Sequence, residues 1–185
     1  MKKKKCKSFK AGQKNPIKKV LYYLSLGSNL GERERTLAAA VDLLNQQAGR
    51  VIARSASFYS PAWGYASEHP FCNICISLES ALEPLEMLHL TQSIEQQLGR
   101  NHKTQKKADG NAAISYQDRT IDIDLLEAFR PESDAPNPSN LPPEQHSYLH
   151  NLRPVSFHSE ELTLPHPLMH ERNFVMSPFS ELPHP

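Results

Sequence analysis

Residues 119–126 read RTIDIDLL, a short apolar run that carries two aspartates, Asp122 and Asp124, one residue apart. Apolar and acidic residues alternate from Ile121 to Leu125, which is the period of a β-strand. Both carboxylates are therefore expected on one face, with about 7 Å between their Cα atoms. Two such charges repel by about 2 kcal/mol at an effective dielectric constant of about 20. The alternation thus predicts either a strand that faces water or a cation such as Mg²⁺ between the carboxylates.

Upstream of this strand, the sequence alternates between extended and helical patterns. Runs of β-branched and aromatic residues predict strands, and apolar residues at i, i+3, i+4 and i+7 predict helices. Gly49 suits the end of the first helix, and Pro84 suits the first turn of the second. The order β-α-β-β-α-β predicts a ferredoxin-like α+β fold, with helices packed on a mainly antiparallel sheet. The predicted strands before Asp122 cover residues 20–26, 51–60 and 71–80, and the predicted helices cover residues 33–47 and 84–98.

The remaining segments are less regular. Residues 131–152 contain five prolines and no apolar periodicity, and they predict a disordered insertion because ordered loops rarely exceed about 15 residues. Residues 153–167 return to extended structure, and residues 169–182 predict a short, broken helix. A C-terminal hairpin and a short helix are therefore expected beyond the βαββαβ core. Polar loops are expected at residues 61–70 and 101–118, and the second should be mobile.

The charge is divided between a basic arm and an acidic body. Residues 1–19 hold nine of the 21 Lys and Arg residues and no acid. The other 12 basic residues are set against 20 acidic ones, so residues 20–185 carry a net charge of −8. We expect the arm to be a disordered tail ahead of one domain over residues 20–185. No apolar run is long enough for a signal peptide or a membrane span.

The three cysteines, Cys6, Cys72 and Cys75, cannot form a disulfide framework. Cys72 and Cys75 resemble half of a zinc site, but they lie in the predicted strand over residues 71–80. Their thiols would therefore point to opposite faces of the sheet. Buried, reduced cysteines are expected, as in a cytoplasmic protein.

Arginines beside metal-binding aspartates are the usual means of holding a phosphoryl group during its transfer. Such a set is present here at separated positions, which favours an enzyme that uses a nucleoside triphosphate. Two alternatives stay open from the residues alone: another metalloenzyme that acts on phosphoesters, and a nucleic-acid-binding protein led by the lysine arm. The charge of −8 argues against the second, because the body would repel a phosphate backbone. The set comprises Arg100, Arg119, Asp122, Asp124, Thr163, His166 and Arg172.

Six segments of the chain, taken in order, resemble one known family. They look like 6-hydroxymethyl-7,8-dihydropterin pyrophosphokinase, a folate-pathway enzyme family, from about residue 20 to residue 182. The combination of R-T-[IL]-D-[IL]-D with a downstream L-T-x-P-H is highly specific, whereas either motif alone would not be. The segments are YLSLGSNLGERERTL (23–37), SFYSPAWG (57–64), FCNICISLES (71–80), TQSIEQQLGR (91–100), DRTIDIDLL (118–126) and LTLPHPLMHERNFVMSPFSEL (162–182).

The resemblance implies that the chain transfers pyrophosphate from ATP to the hydroxymethyl group of the pterin and releases AMP. It implies two Mg²⁺ ions that Asp122 and Asp124 hold against the ATP phosphates, and a triphosphate clamped by Arg100 and Arg119. ATP and the pterin would be the small-molecule substrates of a cytoplasmic monomer, with no nucleic acid or membrane as a partner. The remaining ATP-side residues would be Gln92, Glu95, Leu125, Thr163, His166 and Arg172.

The resemblance also implies a place for the flat pterin ring, which would stack between Phe71 and Phe174. Asn73 would read the hydrogen-bonding edge of the ring. Phe71 and Asn73 are two residues apart on a predicted strand, hence on one face, as that role requires. The backbone of a neighbouring loop would assist, through Ser60, Pro61, Trp63 and Gly64.

Four positions depart from the family's pattern. Tyr116 stands where many relatives have Trp, and Asp118 replaces Pro. Glu161 stands where some relatives carry Arg, and Pro167 follows His166 where some have Tyr. Since Asp118 lies beside a clamp arginine, we expect this acid to affect loop closure and ATP binding. None of the four removes a metal ligand or a clamp arginine.

Overall fold

The computed structural model describes residues 19–100, 117–132 and 151–185 of the chain. These residues form eight strands, three α-helices and a 3₁₀ turn at Met169–Glu171. In chain order the elements are β1 (Val20–Ser28), α1 (Arg33–Gln47), β2 (Gly49–Arg54), β3 (Phe58–Ser60), β4 (Phe71–Ser80), α2 (Pro84–Gln97), β5 (Asp122–Pro131), β6 (Leu152–Pro154), β7 (Phe157–His158), β8 (Thr163–Leu164) and α3 (Asn173–Phe179).

The central sheet has the strand order β2-β4-β1-β5-β6, and β3 pairs with the same strand as β2. Every pairing in it is antiparallel. Strands β1 and β4, which are the first and third strands of the βαββαβ unit when β2 and β3 are counted as one, therefore lie side by side at the centre. A ferredoxin-like fold requires this arrangement. The predicted fold class is therefore confirmed. Strands β7 and β8 form the predicted C-terminal hairpin, and α3 is the predicted short helix.

One face of the sheet is closed by α1 and α2. The first helix buries Leu37, Ala40 and Leu44, which recur on one side of it. The second begins at Pro84, and the Glu86 carboxylate accepts a hydrogen bond of 2.8 Å from the backbone N–H of Glu83, as in a capping box. The sheet contributes alternate residues of each central strand to this core, among them Leu24, Leu26, Ile74, Ile76, Ile121, Ile123 and Leu125.

The opposite face carries a second, smaller apolar cluster beneath α3. Tyr23 of β1 lies at its centre and packs edge-on against Phe179, with ring centroids 5.4 Å apart. Cys75 belongs to this cluster, whereas Cys72 belongs to the core under α1 and α2. Both thiols are buried and free, on opposite faces, as the strand pattern predicts.

The predicted strand over residues 51–60 was wrong in two respects, because the structure begins it at Gly49 and divides it into β2 and β3. Arg54 lies opposite Ile76 and Phe58 lies opposite Asn73, so three residues between them face only two on β4. The extra residue interrupts the ladder, as in a β-bulge. At the break, the Ser55 hydroxyl accepts a hydrogen bond of 2.9 Å from the backbone N–H of Cys75.

Strand β1 continues two residues beyond its predicted end, since Gly27 and Ser28 still pair with β4. At the other end of the core, Pro131 pairs with Leu152, so the two ends of the predicted insertion lie in strands β5 and β6. Three stretches lie outside the described residues: positions 133–150 of that insertion, positions 1–18 of the lysine-rich arm and positions 101–116 of the predicted mobile loop. Within the described ranges, no helix is long and apolar enough to cross a membrane.

Candidate active site

Asp122 and Asp124 project from β5 on the face of the sheet opposite α1 and α2. Strand β1 runs beside them and places Gly27 opposite Asp122 and Ser25 opposite Asp124. A Cβ atom on Gly27 would lie 3.0 Å from the Asn73 Oδ1 atom, which is closer than ordinary contact. Small residues on β1 therefore leave an open space above the two carboxylates.

Asp122 is held between two arginines. Arg100 Nη1 donates to Asp122 Oδ1 at 2.6 Å, and Arg119 Nη1 donates to Asp122 Oδ2 at 2.7 Å. The side chains of both arginines are largely buried, with 16% and 12% exposed, so these charge-assisted bonds are poorly screened by solvent. The two predicted clamp residues thus converge on one of the two predicted metal ligands.

Glu95 connects helix α2 to the start of β5. Its carboxylate accepts a hydrogen bond of 2.7 Å from the backbone N–H of Ile123 and also pairs with Arg100. Burial raises the pKa of Glu95 to about 7, and the negative charge of Asp122 acts in the same direction, against the opposing charge of Arg100. Glu95 therefore positions Arg100 while lying behind the pocket itself.

Asp124 has a looser partner than Asp122. Arg172 Nη1 donates to Asp124 Oδ2 at 3.4 Å, and 35% of the Asp124 side chain is exposed. Desolvation in the pocket and the nearby charge of Asp122 raise the pKa of Asp124 to about 6. A bound cation would reverse this effect, because it favours the ionised carboxylate.

An aromatic region adjoins the charged one. The Arg172 guanidinium lies 4.8 Å from the ring centroid of Trp63 and 5.9 Å from that of Phe174, within cation–π distance of both. Asn73 donates through Nδ2 to the Phe58 carbonyl at 3.2 Å and to the Ser60 hydroxyl at 3.1 Å. These bonds fix its amide group at the floor of the same cavity.

Both regions line a single cavity. Ten of the sequence-predicted site residues are in its wall: Ser60, Pro61, Trp63, Phe71, Asn73, Arg119, Asp122, Asp124, Arg172 and Phe174. Arg100 reaches it through Asp122, and Glu95 reaches it through Arg100. Three lining residues were missed by the sequence reasoning: Ser25, Gly27 and Tyr65. The first two could have been found by pairing the first predicted strand with the Asp122 strand, whereas Tyr65 lies in a loop that carries no periodic pattern.

The other predicted ATP-side residues lie farther from the cavity wall. Leu125 is buried in the core beneath the helices, so its side chain points away from the cavity. His166 donates its backbone N–H to the Leu126 carbonyl at 2.7 Å, and burial and the charge of Arg172 lower the pKa of its ring. The Thr163 hydroxyl contacts His158 at 3.1 Å in the β7–β8 hairpin. Gln92 is half-buried on α2. Among the predicted pterin-side residues, Gly64 is the one that does not line the cavity, although it lies in the loop beside Trp63.

The donor set suits a hard divalent cation whose coordination is completed by a ligand. In the part of the chain that the structure describes, no three His, Cys, Asp or Glu residues converge as a closed metal cage. Two carboxylates on one face, under an open space, match the way Mg²⁺ is bound through one or two carboxylates and the phosphates of a substrate. Three arginines around the same two carboxylates offer the bidentate donors that phosphate groups accept.

Comparison with known proteins is consistent with this geometry. Residues 23–184 match the family model for 7,8-dihydro-6-hydroxymethylpterin-pyrophosphokinase (HPPK). A 2-amino-4-hydroxy-6-hydroxymethyldihydropteridine pyrophosphokinase from Porphyromonas gingivalis is 40% identical over 162 residues, covering 88% of this chain and 90% of the relative. The enzyme of the same name from Bacillus subtilis is 32% identical and covers 86% of this chain and 76% of the relative.

A solved structure described as an HPPK-DHPS in complex with substrates has a similar fold. It superposes with a TM-score of 0.54 over 89% of this chain, at 13% sequence identity. The chain corresponds to 40% of the length of that protein. At this identity the likeness concerns the fold alone.

Proposed function

This chain belongs to the 7,8-dihydro-6-hydroxymethylpterin-pyrophosphokinase family, and we propose that its cavity transfers pyrophosphate from ATP to 6-hydroxymethyl-7,8-dihydropterin. It is an ATP-dependent pyrophosphokinase of folate biosynthesis. One observation carries the proposal for the site: a region of arginines and carboxylates adjoins an aromatic region in a single cavity. Such a cavity could hold a triphosphate and a flat, polar-edged ring side by side.

The charged region would hold the triphosphate. Asp122 and Asp124 would hold two Mg²⁺ ions, which would neutralise phosphate charge and draw electron density from the phosphorus under attack. Arg100 and Arg119 bind Asp122 in this structure, and phosphate oxygens are equally good acceptors for guanidinium groups. We propose that these arginines turn from Asp122 to the triphosphate when the cations bind the carboxylate. The Asp122 carboxylate would then pair with the cations and the arginines with the phosphates, so that each charge keeps a partner and the substrate is held in one orientation.

The aromatic region would hold the pterin. Phe71 and Phe174 both line the cavity, and a planar ring could stack between them. Asn73 lies beside Phe71 at the cavity floor, and its Oδ1 atom remains directed toward the space over Gly27. That oxygen could accept a hydrogen bond from an N–H group at the ring edge. The loop with Ser60, Pro61, Trp63 and Gly64 would complete the wall around the pterin.

The remaining ATP contacts are proposed from the side of α2 and the hairpin. Glu95 keeps Arg100 in place, and Arg172 neutralises Asp124. The Leu125 side chain lies in the core, so this residue would meet ATP through its backbone. Gln92, Thr163 and His166 would form the outer part of the nucleotide site. We also propose that the enzyme acts as a monomer in the cytoplasm, without nucleic-acid or membrane partners.

The direct test of the activity is release of AMP from ATP and Mg²⁺, measured with and without 6-hydroxymethyl-7,8-dihydropterin. We expect AMP release that depends on both the pterin and the metal. The variant Asp124→Ala should lose the activity, and Asp42→Ala, which removes the same charge from the exposed surface of α1, should keep it. Release of AMP or phosphate at the same rate with and without the pterin would instead indicate a phosphohydrolase and overturn the proposal.

A further inference from the structure

Asp118, which replaces the proline of many relatives, occupies a hydrogen-bonding position immediately before Arg119. Its Oδ1 atom accepts a bond of 2.7 Å from Asn29 Nδ2 and a bond of 2.9 Å from the Tyr65 hydroxyl. These partners come from the end of β1 and from the loop over residues 61–70. One carboxylate oxygen thus joins three segments that are far apart in the sequence.

Asn29 holds the backbone of the clamp arginine. The Arg119 N–H donates to Asn29 Oδ1 at 2.8 Å, and the Asn29 N–H donates to the Arg119 carbonyl at 3.2 Å. The Asn29 amide must present its oxygen to Arg119 and its nitrogen to Asp118, so the carboxylate fixes which way the amide points. The same nitrogen donates to the His69 carbonyl at 3.2 Å, which adds a second tie to the 61–70 loop.

Tyr65 connects this network to the cavity. Its ring lines the cavity with Trp63, Phe71 and Arg119, while its hydroxyl reaches Asp118. The loop that would cover the pterin is therefore tied to the segment that carries a clamp arginine. The tie is formed by a charge-assisted bond, which is stronger than a bond between neutral groups.

The Asp118 carboxylate is directed to the side chains of Asn29 and Tyr65. Hydrogen bonding by Ser67 lowers the pKa of Asp118, and the bonds from Asn29 and Tyr65 act in the same direction. A carboxylate that already accepts these bonds is ionised and occupied. These bonds hold the carboxylate toward the loop but leave its negative charge beside Arg119, so the expected effect of Asp118 on ATP binding stays a prediction.

We propose that Asp118 is a positioning residue that couples the pterin loop to Arg119 through Tyr65 and Asn29. The inference rests on the proposed function, since it assigns the loop to the pterin and Arg119 to the triphosphate. Breaking the Asp118–Tyr65 bond should weaken pterin binding first, because the loop loses its anchor. Loss of the Asp118 charge should also lower kcat, because a neutral side chain in its place would hold the Asn29 amide, and through it Arg119, by a weaker hydrogen bond.

The first test is steady-state kinetics of Tyr65→Phe, Asp118→Asn and the double variant. Tyr65→Phe removes only a hydroxyl, and we expect it to raise the KM for the pterin about tenfold with little change in the KM for ATP. Asp118→Asn should raise the same KM and lower kcat, and the double variant should be no worse than Asp118→Asn alone. The matched control is Tyr59→Phe, which removes an exposed hydroxyl that donates to Glu34 at 2.6 Å.

The second test needs no catalysis. Trp63 is the single tryptophan of the chain and lies in the loop, so its fluorescence reports the position of the loop. Acrylamide should quench Trp63 more strongly in Tyr65→Phe and Asp118→Asn than in the wild type or in Tyr59→Phe. This measurement distinguishes failure of the proposed function from failure of the coupling. If the wild type releases no AMP in response to the pterin, the proposed function is refuted, but the difference in quenching between the variants is unaffected.

Two results would overturn the coupling. One is an active wild type whose Tyr65→Phe variant has unchanged pterin KM and unchanged Trp63 quenching. The other is additive losses in the double variant, with pterin and ATP KM values raised equally, which would make the residues merely structural. The variant Asp118→Glu restores the carboxylate. A pterin KM close to that of the wild type in this variant would support the inference, whereas a pterin KM as high as that of Asp118→Asn would count against it.

Discussion

Strand β5 presents two different surfaces from consecutive residues. Three apolar side chains point into the core under α1 and α2, where each is at most 5% exposed: those of Ile121, which just precedes the strand, and of Ile123 and Leu125 within it. Asp122 and Asp124 point the other way, into a cavity with three arginines around them. The first surface is closed by apolar contact, and the second is kept open by small residues on the neighbouring strand.

This contrast separates stability from chemistry along one strand. Burying an Ile or Leu side chain stabilises a fold by about 1.5–3 kcal/mol. Two like charges on the opposite surface oppose folding unless they are paired, and here the pairing is unequal. Asp122 has two arginines at 2.6 and 2.7 Å, whereas Asp124 has one at 3.4 Å. Asp124→Ala should therefore lower activity with little loss of stability, whereas Ile123→Ala should lower stability with little loss of activity.

The largest effect is expected for Arg119→Ala. An arginine aimed at charge that develops during phosphoryl transfer can be worth about 10³ in kcat. We expect kcat to fall by about that factor, with a smaller loss of ATP affinity, measured by single-turnover kinetics and by calorimetry with a non-hydrolysable analogue. Arg54→Ala, at an exposed position of β2, is the control. An unchanged kcat with a lowered ATP affinity would show that Arg119 serves ground-state binding only.

Asp122→Ala and Asp124→Ala should each lower kcat by at least about 10²–10³, the scale seen when one electrostatic stabiliser is removed. Their stabilities should differ. Asp124→Ala should unfold at the same temperature as the wild type or higher, because it relieves repulsion at little loss. Asp122→Ala should unfold at a lower temperature, because it leaves Arg100 and Arg119 without their shared carboxylate. Near-normal turnover of either variant at ordinary Mg²⁺ concentrations would reject the metal assignment.

Ile123→Ala tests the other surface, at the residue between the two aspartates. Truncating a buried Ile should cost about 2–5 kcal/mol of unfolding free energy, measured by urea denaturation. The folded fraction should retain kcat within a few-fold, because its backbone bond to Glu95 does not depend on the side chain. A loss of activity as large as that of Asp124→Ala, at full folding, would mean that the two surfaces are not separable.

The smallest expected effect is a pH dependence that originates in Glu95. The pKa of this carboxyl is 4.5 in its ordinary state and about 7 in the folded protein. The folded state therefore binds an extra proton between these values, and stability should fall as pH rises through that window, by at most about 1.4 kcal/mol per unit. Denaturant titrations in EDTA from pH 6 to pH 8 should show this slope, in a range above the raised pKa of about 6 of Asp124. Glu95→Gln should flatten it, and an identical slope in that variant would assign the effect elsewhere.

Much of this arrangement could be predicted from local pattern. Alternation around Asp122 placed both carboxylates on one face, and the same reasoning placed Phe71 beside Asn73 and separated Cys72 from Cys75. These successes share a cause, because the period of a strand fixes which residues share a face.

The features that pattern alone could not supply depend on partners distant in the sequence. Ser25 and Gly27 matter because β1 lies beside β5, and strand order is not encoded in local periodicity. The interruption at Ser55 arises from an unequal residue count against β4. Tyr65 lies in an irregular loop, so its place in the cavity becomes visible only in the folded structure.

The most direct test of the central claim is a crystal structure with Mn²⁺ and a non-hydrolysable ATP analogue, using the anomalous signal of the metal. We predict two metal peaks in the cavity, each at about 2.0–2.2 Å from a carboxylate oxygen of Asp122 or Asp124, with Arg100 and Arg119 turned to the triphosphate. Metal peaks away from these carboxylates, or a triphosphate bound while both arginines stay on Asp122, would contradict the account.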